Sequence, residues 1–257
     1  NELMRFSEGY SRSFLNLYNE VIGFEPVMDT DVIDGSYVFI GTEESIEKAQ
    51  YLISWKRQKG YDVEVGLLSV IGTSVSQIDS WIENAYNTWP NPPEYVMLVG
   101  EHTVVPTPQY SGSETHAADN EYAVIGSGVL PSMHIGRICG NDTEDLAYIS
   151  WKIRENEMNP YQPFEENWFM KGFSMACTSP FNAATESLML NQLFQAHAIE
   201  SDFYCDALGG IPPNHSQVIA AINEGRQVIN YIGHGSPTSW VTSNITNSDI
   251  ASLTNGR

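Results

Sequence analysis

Between Tyr37 and Val99, short apolar runs alternate with helix-length amphipathic stretches, and that alternation leaves few folds open to the chain. Tyr37-Val-Phe-Ile40 reads as a buried strand, and Glu44 to Lys59 as a helix with Thr42 as N-cap and Gly60 as stop signal. Asp62 to Leu68 is a second strand, Val75 to Tyr86 a second helix capped by Thr73 or Ser74, and Tyr95-Val-Met-Leu-Val99 a third strand closing at Gly100. Such repetition predicts a parallel sheet with right-handed crossovers. The pattern resumes after a long polar stretch from Glu101 to Gly128. Met133 to Ile138 is a strand and Asp142 to Met158 a helix. Gly172 to Cys177, Glu186 to His197, Glu200 to Tyr204, Ser216 to Asn223 and Val228 to Ile232 then alternate again. The expected division is an N-terminal segment over 1–34 with a helical stripe (Phe14, Leu15, Leu17, Tyr18, Val21), a first α/β sub-domain over 35–138 and a second over 139–257.

The chain's 257 residues are enough for ample core. Its 32 Asp and Glu against 12 Lys and Arg give a formal net charge of −20. That charge argues against nucleic-acid binding, which needs a basic surface. It fits a secreted, saline or calcium-rich setting. The sequence has no apolar run of membrane-spanning length. Asn1-Glu-Leu-Met-Arg5 lacks the apolar core of a signal peptide, so the N-terminus is expected to continue from an upstream precursor region. Cys139, Cys177 and Cys205 are an odd count without Cys-x-x-Cys spacing, which points to neither a zinc ribbon nor a disulfide framework.

The run Val228-Ile-Asn-Tyr-Ile-Gly-His-Gly235 carries the clearest chemistry. A buried strand stops there and leaves His234 at its C-terminal end between two glycines. In open α/β sheets ligands bind at the carboxyl ends of the strands. An imidazole placed there is a candidate general acid or base, and the flanking glycines let a substrate backbone come close. The Gly235 N–H is a candidate oxyanion donor. A strand-end turn that merely contains a histidine is the plainer alternative.

From about Ser36 onward the chain resembles the gingipain-type cysteine peptidases of clan CD. Four blocks carry the resemblance in family order: Trp55-Lys-Arg-Gln-Lys-Gly60, Pro93-Glu-Tyr-Val-Met-Leu-Val-Gly100, Ile135-Gly-Arg-Ile138 and Asn230-Tyr-Ile-Gly-His-Gly-Ser236. The resemblance implies a caspase-like, three-layer α/β/α fold with mostly parallel sheets in two sub-domains. It implies a cysteine endopeptidase acting on polypeptides, with His234 as the catalytic histidine and Gly235 in the oxyanion hole. It also implies a secreted or cell-surface location, and calcium as a structural ion, with no cofactor needed for catalysis. The family's cysteine follows its histidine on the next core strand. Here that strand should begin at Ala251 to Arg257, so the nucleophile is expected beyond Arg257, in the downstream part of the same precursor.

The chain also departs from that family. The acidic residue expected behind the histidine aligns near Ser179, and the aspartate that pairs with a P1 arginine aligns near Asn182 and Ala183. Ile232 stands where Lys-cleaving members carry a threonine. A buried cation without a carboxylate partner is strongly disfavoured, so the family's basic P1 preference is not carried over. Glu186, one helical turn on, is an alternative partner for a basic side chain. Ile232, Ser236 and Trp240 are the candidate substrate-binding residues. Trp240 is open to two readings, a wall of the cleft or core packing.

Glu101, His102, Glu114, His116 and Asp119 gather oxygen and nitrogen donors in one long loop. Glu101 and Asp119 are the candidate ligands for a hard cation such as calcium. His102 and His116 lack the helical spacing of a zinc site. Three rivals to the main reading remain. Cys177 could itself be the nucleophile beside His234, the domain could be a non-catalytic binding or assembly module, or the loop could serve a metal-dependent hydrolase.

Overall fold

The computed structural model describes residues 9–11, 31–33, 35–111, 115–127, 130–140, 142–159, 167–179 and 181–255. Contacts divide the chain into two compact units, 1–160 and 161–257. Of the expected N-terminal segment, two short strands that pair in parallel are described, β1 (Gly9–Ser11) and β2 (Asp31–Ile33). The helical stripe from Phe14 to Val21 lies outside the described residues.

The first unit is built on a four-stranded parallel sheet of β3 (Ser36–Gly41), β4 (Val63–Leu67), β5 (Pro93–Val99) and β8 (His134–Ile138), in the order β4-β3-β5-β8. Every residue of β3 is buried, which is why its sequence is an unbroken apolar run rather than an alternation. Val38 and Ile40 pack with Ile78 and Ile82 on one face. Tyr37 and Phe39 pack with Leu52, Ile53 and Leu146 on the other. The period-2 alternation of side chains thus feeds two cores and makes three layers.

The helix expected over Glu44 to Lys59 is two pieces, Glu43–Lys48 and Gln50–Gln58, broken at Ala49. Thr42 caps it by accepting the Ser45 N–H at 3.1 Å. Gly60 ends it at φ +94°, a backbone conformation that favours glycine. Ser74, not Thr73, caps the next helix, Val75–Thr88, through a reciprocal bond with Gln77.

The division falls at Pro160/Tyr161 rather than at 138/139. The reason is the helix Thr143–Met158, whose Leu146 joins the first unit's core and whose Glu157 bonds Lys56 Nζ (2.7 Å) and Trp55 Nε1 (3.0 Å). Asp142 caps that helix by accepting the N–H groups of Glu144 and Asp145.

The second unit is a three-stranded parallel sheet of β9 (Lys171–Ala176), β10 (Glu200–Tyr204) and β11 (Val228–Ile232), in the order β10-β9-β11. Phe173 and Met175 pack against Val218 and Ile222 of the helix His215–Glu224. The opposite face carries the helix Phe181–Ala196, which starts five residues before the expected Glu186. Ala176 and Ala184 meet in its small apolar cluster, and polar pairs seat it as well. Ser174 Oγ and Ser187 Oγ are 2.6 Å apart, Asn230 Nδ2 donates to Ser174 Oγ at 2.8 Å, and Ser201 Oγ donates to Asn191 Oδ1 at 2.6 Å. After β11 the chain forms a small antiparallel sheet of β12 (Gly235–Ser236), β13 (Ser239–Trp240) and β14 (Ile245–Thr246).

Candidate active site

In the second unit the chain leaves β9 toward β10 on one side and later returns to β11 on the other. The carboxyl ends of β9 and β11 therefore form the topological switch point, where a crevice opens in sheets of this kind. Ala176 pairs with Ile232 there, and the Cys177 N–H donates to the Ile232 carbonyl at 3.1 Å. The next residues of β11's chain are Gly233 and His234, so the histidine sits at the expected strand end, with its side chain exposed.

The local geometry explains the glycines. A Cβ on Gly233 would lie 2.6 Å from the Tyr231 hydroxyl and 3.0 Å from Thr242 Oγ1. A Cβ on Gly235 would come within 3.3 Å of the Ser239 carbonyl. What fills the corner is Tyr231, whose role the sequence does not advertise beyond its place in an apolar strand. Its hydroxyl donates to the His234 carbonyl at 2.6 Å and accepts the Thr242 N–H at 3.3 Å. Since the one phenolic proton goes to His234, Thr242 Oγ1, 3.0 Å away, is the donor in the third contact. The Tyr231 ring stacks on Trp240 with centroids 4.9 Å apart and planes 17° from parallel. Trp240 thus packs against the strand that carries the histidine. Ser236 Oγ lies 3.0 Å from Ser239 Oγ and accepts the Thr238 N–H at 3.2 Å, within its own turn. Ile232 is half-buried in β11.

The segment after the small sheet runs along the helix His215–Glu224. At the helix start, His215 Nδ1 lies 3.1 Å from the Ser243 carbonyl and Nε2 lies 3.3 Å from Asp249 Oδ1. At the helix end, Asn223 Oδ1 accepts the Thr254 N–H at 2.7 Å, and Asn255 Nδ2 donates to the Ile222 carbonyl at 2.6 Å. That helix end leads directly into β11, so Asn255 lies at the end of the sheet where β11 begins. Among the described residues no strand pairs with β11 on the side away from β9, and Ile229 is 37% exposed in it.

Ser179 and Asn182 supply no carboxylate near the strand ends, and Ala183 is buried. The Cys177 thiol, half-buried, donates to the Ser179 carbonyl at 2.9 Å. Glu186 is exposed and accepts from Asn182 Nδ2 at 3.4 Å, within one helix. Cys205 is fully buried and Cys139 is exposed.

The loop expected to bind a cation is organised otherwise. Asp119 receives Arg137 Nε at 2.8 Å and Nη2 at 2.7 Å, a two-pronged ion pair. Arg137 beside it holds its carboxyl below the usual carboxylate range. Arg137 Nη1 also donates to the carbonyls of Gly100 (2.9 Å) and Val105 (2.7 Å), which fixes the loop to the sheet edge. The Glu101 carbonyl accepts the Val104 and Val105 N–H groups. Glu114 lies outside the described residues, and of His116 only the backbone in β7 (Thr115–Ala117), paired with β6 (Gln109–Ser111), is described. Among the described residues no three His, Cys, Asp or Glu side chains converge as a metal site. Glu101 and Asp119 therefore do not present a fitting calcium site, because Arg137 already occupies the Asp119 carboxylate.

His234 thus stands at the carboxyl end of β11, at the switch point of the second unit's sheet. The model of Peptidase family C25 matches residues 31–257, and the chain belongs to that family. Gingipain R2 of Porphyromonas gingivalis is 26% identical over 261 residues, covering 97% of this chain and 34% of its own length. A Lys-gingipain of the same organism is 24% identical over 210 residues, covering 79% of this chain and 12% of its own. The chain thus spans about a third or less of the curated relatives it matches. The crystal structure of the Arg-specific cysteine proteinase gingipain R superposes with a TM-score of 0.73 at 23% identity, over 90% of this chain and 54% of that one. The complex of RgpB pro- and mature domains gives 0.72 at 24% identity, over 86% of this chain and 53% of that one. The caspase-like α/β fold follows from these superpositions.

Proposed function

We propose that this chain is the histidine-bearing part of a cysteine endopeptidase whose nucleophile is supplied downstream of Arg257. The observation that carries the reading is the path of the chain after His234. It returns along the helix His215–Glu224 to Asn255, at the end of the sheet where β11 begins. A strand starting there and running parallel to β11 would cover its half-exposed edge. Its carboxyl end would then lie beside His234.

In that arrangement the cysteine thiolate attacks the scissile carbonyl carbon, and the C=O electron pair moves to the oxygen. The Gly235 N–H and the cysteine's own N–H hold that oxyanion. As it collapses, the C–N bond breaks and His234 protonates the leaving amine, giving an acyl-enzyme thioester that water hydrolyses. Ile232, Ser236 and Trp240, which neighbour His234 along β11, β12 and β13, are the proposed substrate contacts. The substrate is a polypeptide, and the partner is the remainder of the chain's own precursor. The solved complex of pro- and mature domains in a structural relative supports that pairing. The acidic composition suits a secreted or cell-surface protein. Among the described residues no helix is long and apolar enough to cross a membrane.

The test is peptide hydrolysis by the native protein extended past Arg257, with and without His234→Ala. Loss of a positioned proton donor is expected to lower the rate about 10²- to 10⁴-fold. Thiol alkylation should abolish activity. A native protein without thiol-sensitive hydrolysis would favour the second reading, a non-catalytic binding or assembly module. The lack of a carboxylate at Ser179, Asn182 and Ala183 is the observation on that side.

A further inference from the structure

We infer that Tyr231 is a positioning residue that aims the Gly235 N–H for oxyanion binding; the inference rests on the peptidase reading above. The His234 carbonyl and the Gly235 N–H belong to one planar trans peptide, so they point in opposite directions. Two donors fix that carbonyl, the Tyr231 hydroxyl at 2.6 Å and the Val241 N–H at 2.9 Å. Fixing one end of the plane fixes the other. The Gly235 N–H is turned to the side away from Tyr231, and Gly235 is exposed.

The register explains why this N–H is available. Gly235 pairs with Trp240, and the bond from Val241 N–H to His234 C=O flanks that pair. Gly235 and Trp240 are therefore a non-hydrogen-bonded pair of the antiparallel ladder, which leaves the Gly235 N–H unused by β13. A glycine peptide is the least constrained kind, so an external hold on its plane matters more than it would elsewhere. The phenol supplies that hold and is itself held. It accepts from Thr242 N–H and Oγ1, and its ring lies against Trp240. The Gly233 Cα leaves the room that the hydroxyl needs, since a Cβ would sit 2.6 Å from it.

The test is Tyr231→Phe in the native full-length protein, which keeps the ring stack and removes only the hydroxyl. Steady-state hydrolysis should show kcat lowered about tenfold with KM unchanged. Complete loss of an oxyanion donor costs 10²- to 10³-fold, and here the donor is loosened rather than removed. In parallel, the ¹⁵N order parameter of the Gly235 amide should fall from about 0.85 toward 0.6, with β9 and β11 unchanged. Unchanged kcat with an unchanged order parameter would overturn the inference, and so would a rise in KM alone. Thr242→Val keeps the phenol and its bond to the His234 carbonyl but removes one of the contacts that hold it, so kcat is expected to fall by less than in Tyr231→Phe. A loss in Thr242→Val that exceeds that of Tyr231→Phe would place the effect on the corner as a whole rather than on the hydroxyl and overturn the assignment. If the wild type has no peptidase activity, the proposed function fails. The amide measurement then decides the positioning claim by itself.

Discussion

Arg137 lays the edge of its guanidinium along the Asp119 carboxylate, with Nε and Nη2 at 2.8 and 2.7 Å from the two oxygens. The arginine side chain is 10% exposed and the aspartate 29%, so the pair is only partly screened by water. Asp119→Asn is expected to destabilise the first unit by about 2 kcal/mol, the scale of a charge-assisted hydrogen bond. Because Arg137 lowers the Asp119 pKa, this stability is present above the unfolded-state value of about 3.9 and is lost as pH falls through the lower folded-state value. Denaturant titrations of wild type and Asp119→Asn should differ at pH 6 and converge at about pH 2.

Ser174 is shared by Ser187 and Asn230, whereas Ser187 bonds only Ser174 among these three. Ser174→Ala leaves two partners without their bond and should cost about 1–3 kcal/mol. Ser187→Ala leaves the Asn230–Ser174 bond intact and should cost less. Urea unfolding of the two variants ranks them, and a reversed order would mean that the network is organised around the helix rather than around β9.

Trp240→Ala removes the stacking partner of Tyr231 and should destabilise the second unit by about 2 kcal/mol. This is below the 3–5 kcal/mol of a fully buried aromatic, because Trp240 is only half-buried. Trp240→Phe should recover most of the loss. If peptide KM rises in Trp240→Phe while stability holds, the side chain also contacts substrate.

The three thiols should separate by accessibility. Cys205 is fully buried and is expected to react with a thiol reagent only on unfolding, while Cys139 and Cys177 react in the folded protein. Partial burial raises the Cys139 pKa, so its reaction should be slow at neutral pH and quicken in alkali. In the native protein, Cys177→Ala should leave hydrolysis intact. Loss of activity in that variant would make Cys177 the nucleophile instead of a downstream residue.

The sheet was legible because burial on both faces writes itself as unbroken apolar runs, as in Tyr37 to Ile40. The place of His234 at a strand end was legible because an apolar run followed by Gly-His-Gly is a local pattern. Less of the rest is local. The long loop's contribution to the core comes from Val105, Tyr122 and Ala123, which follow no helix or strand period. Asp119 looked like a metal ligand because the sequence around it shows donors but not Arg137, which arrives from another strand. The unit boundary was misplaced because the apolar stripe of the helix Thr143–Met158 does not say which sheet it covers. Tyr231 was hidden for a similar reason. An apolar strand pattern records that its ring is wanted and is silent about its hydroxyl.

The way the helix Phe181–Ala196 is seated has a mechanical consequence. Apolar contact is non-directional, and a greasy helix face can settle at slightly different heights on a sheet. Ser187 on Ser174 and Asn191 on Ser201 are hydrogen bonds one helical turn apart, and they engage at a single height and rotation. The helix therefore works like a keyed shaft. Its first turns, with Asn182 and Glu186, are thereby set at one height relative to the end of β9.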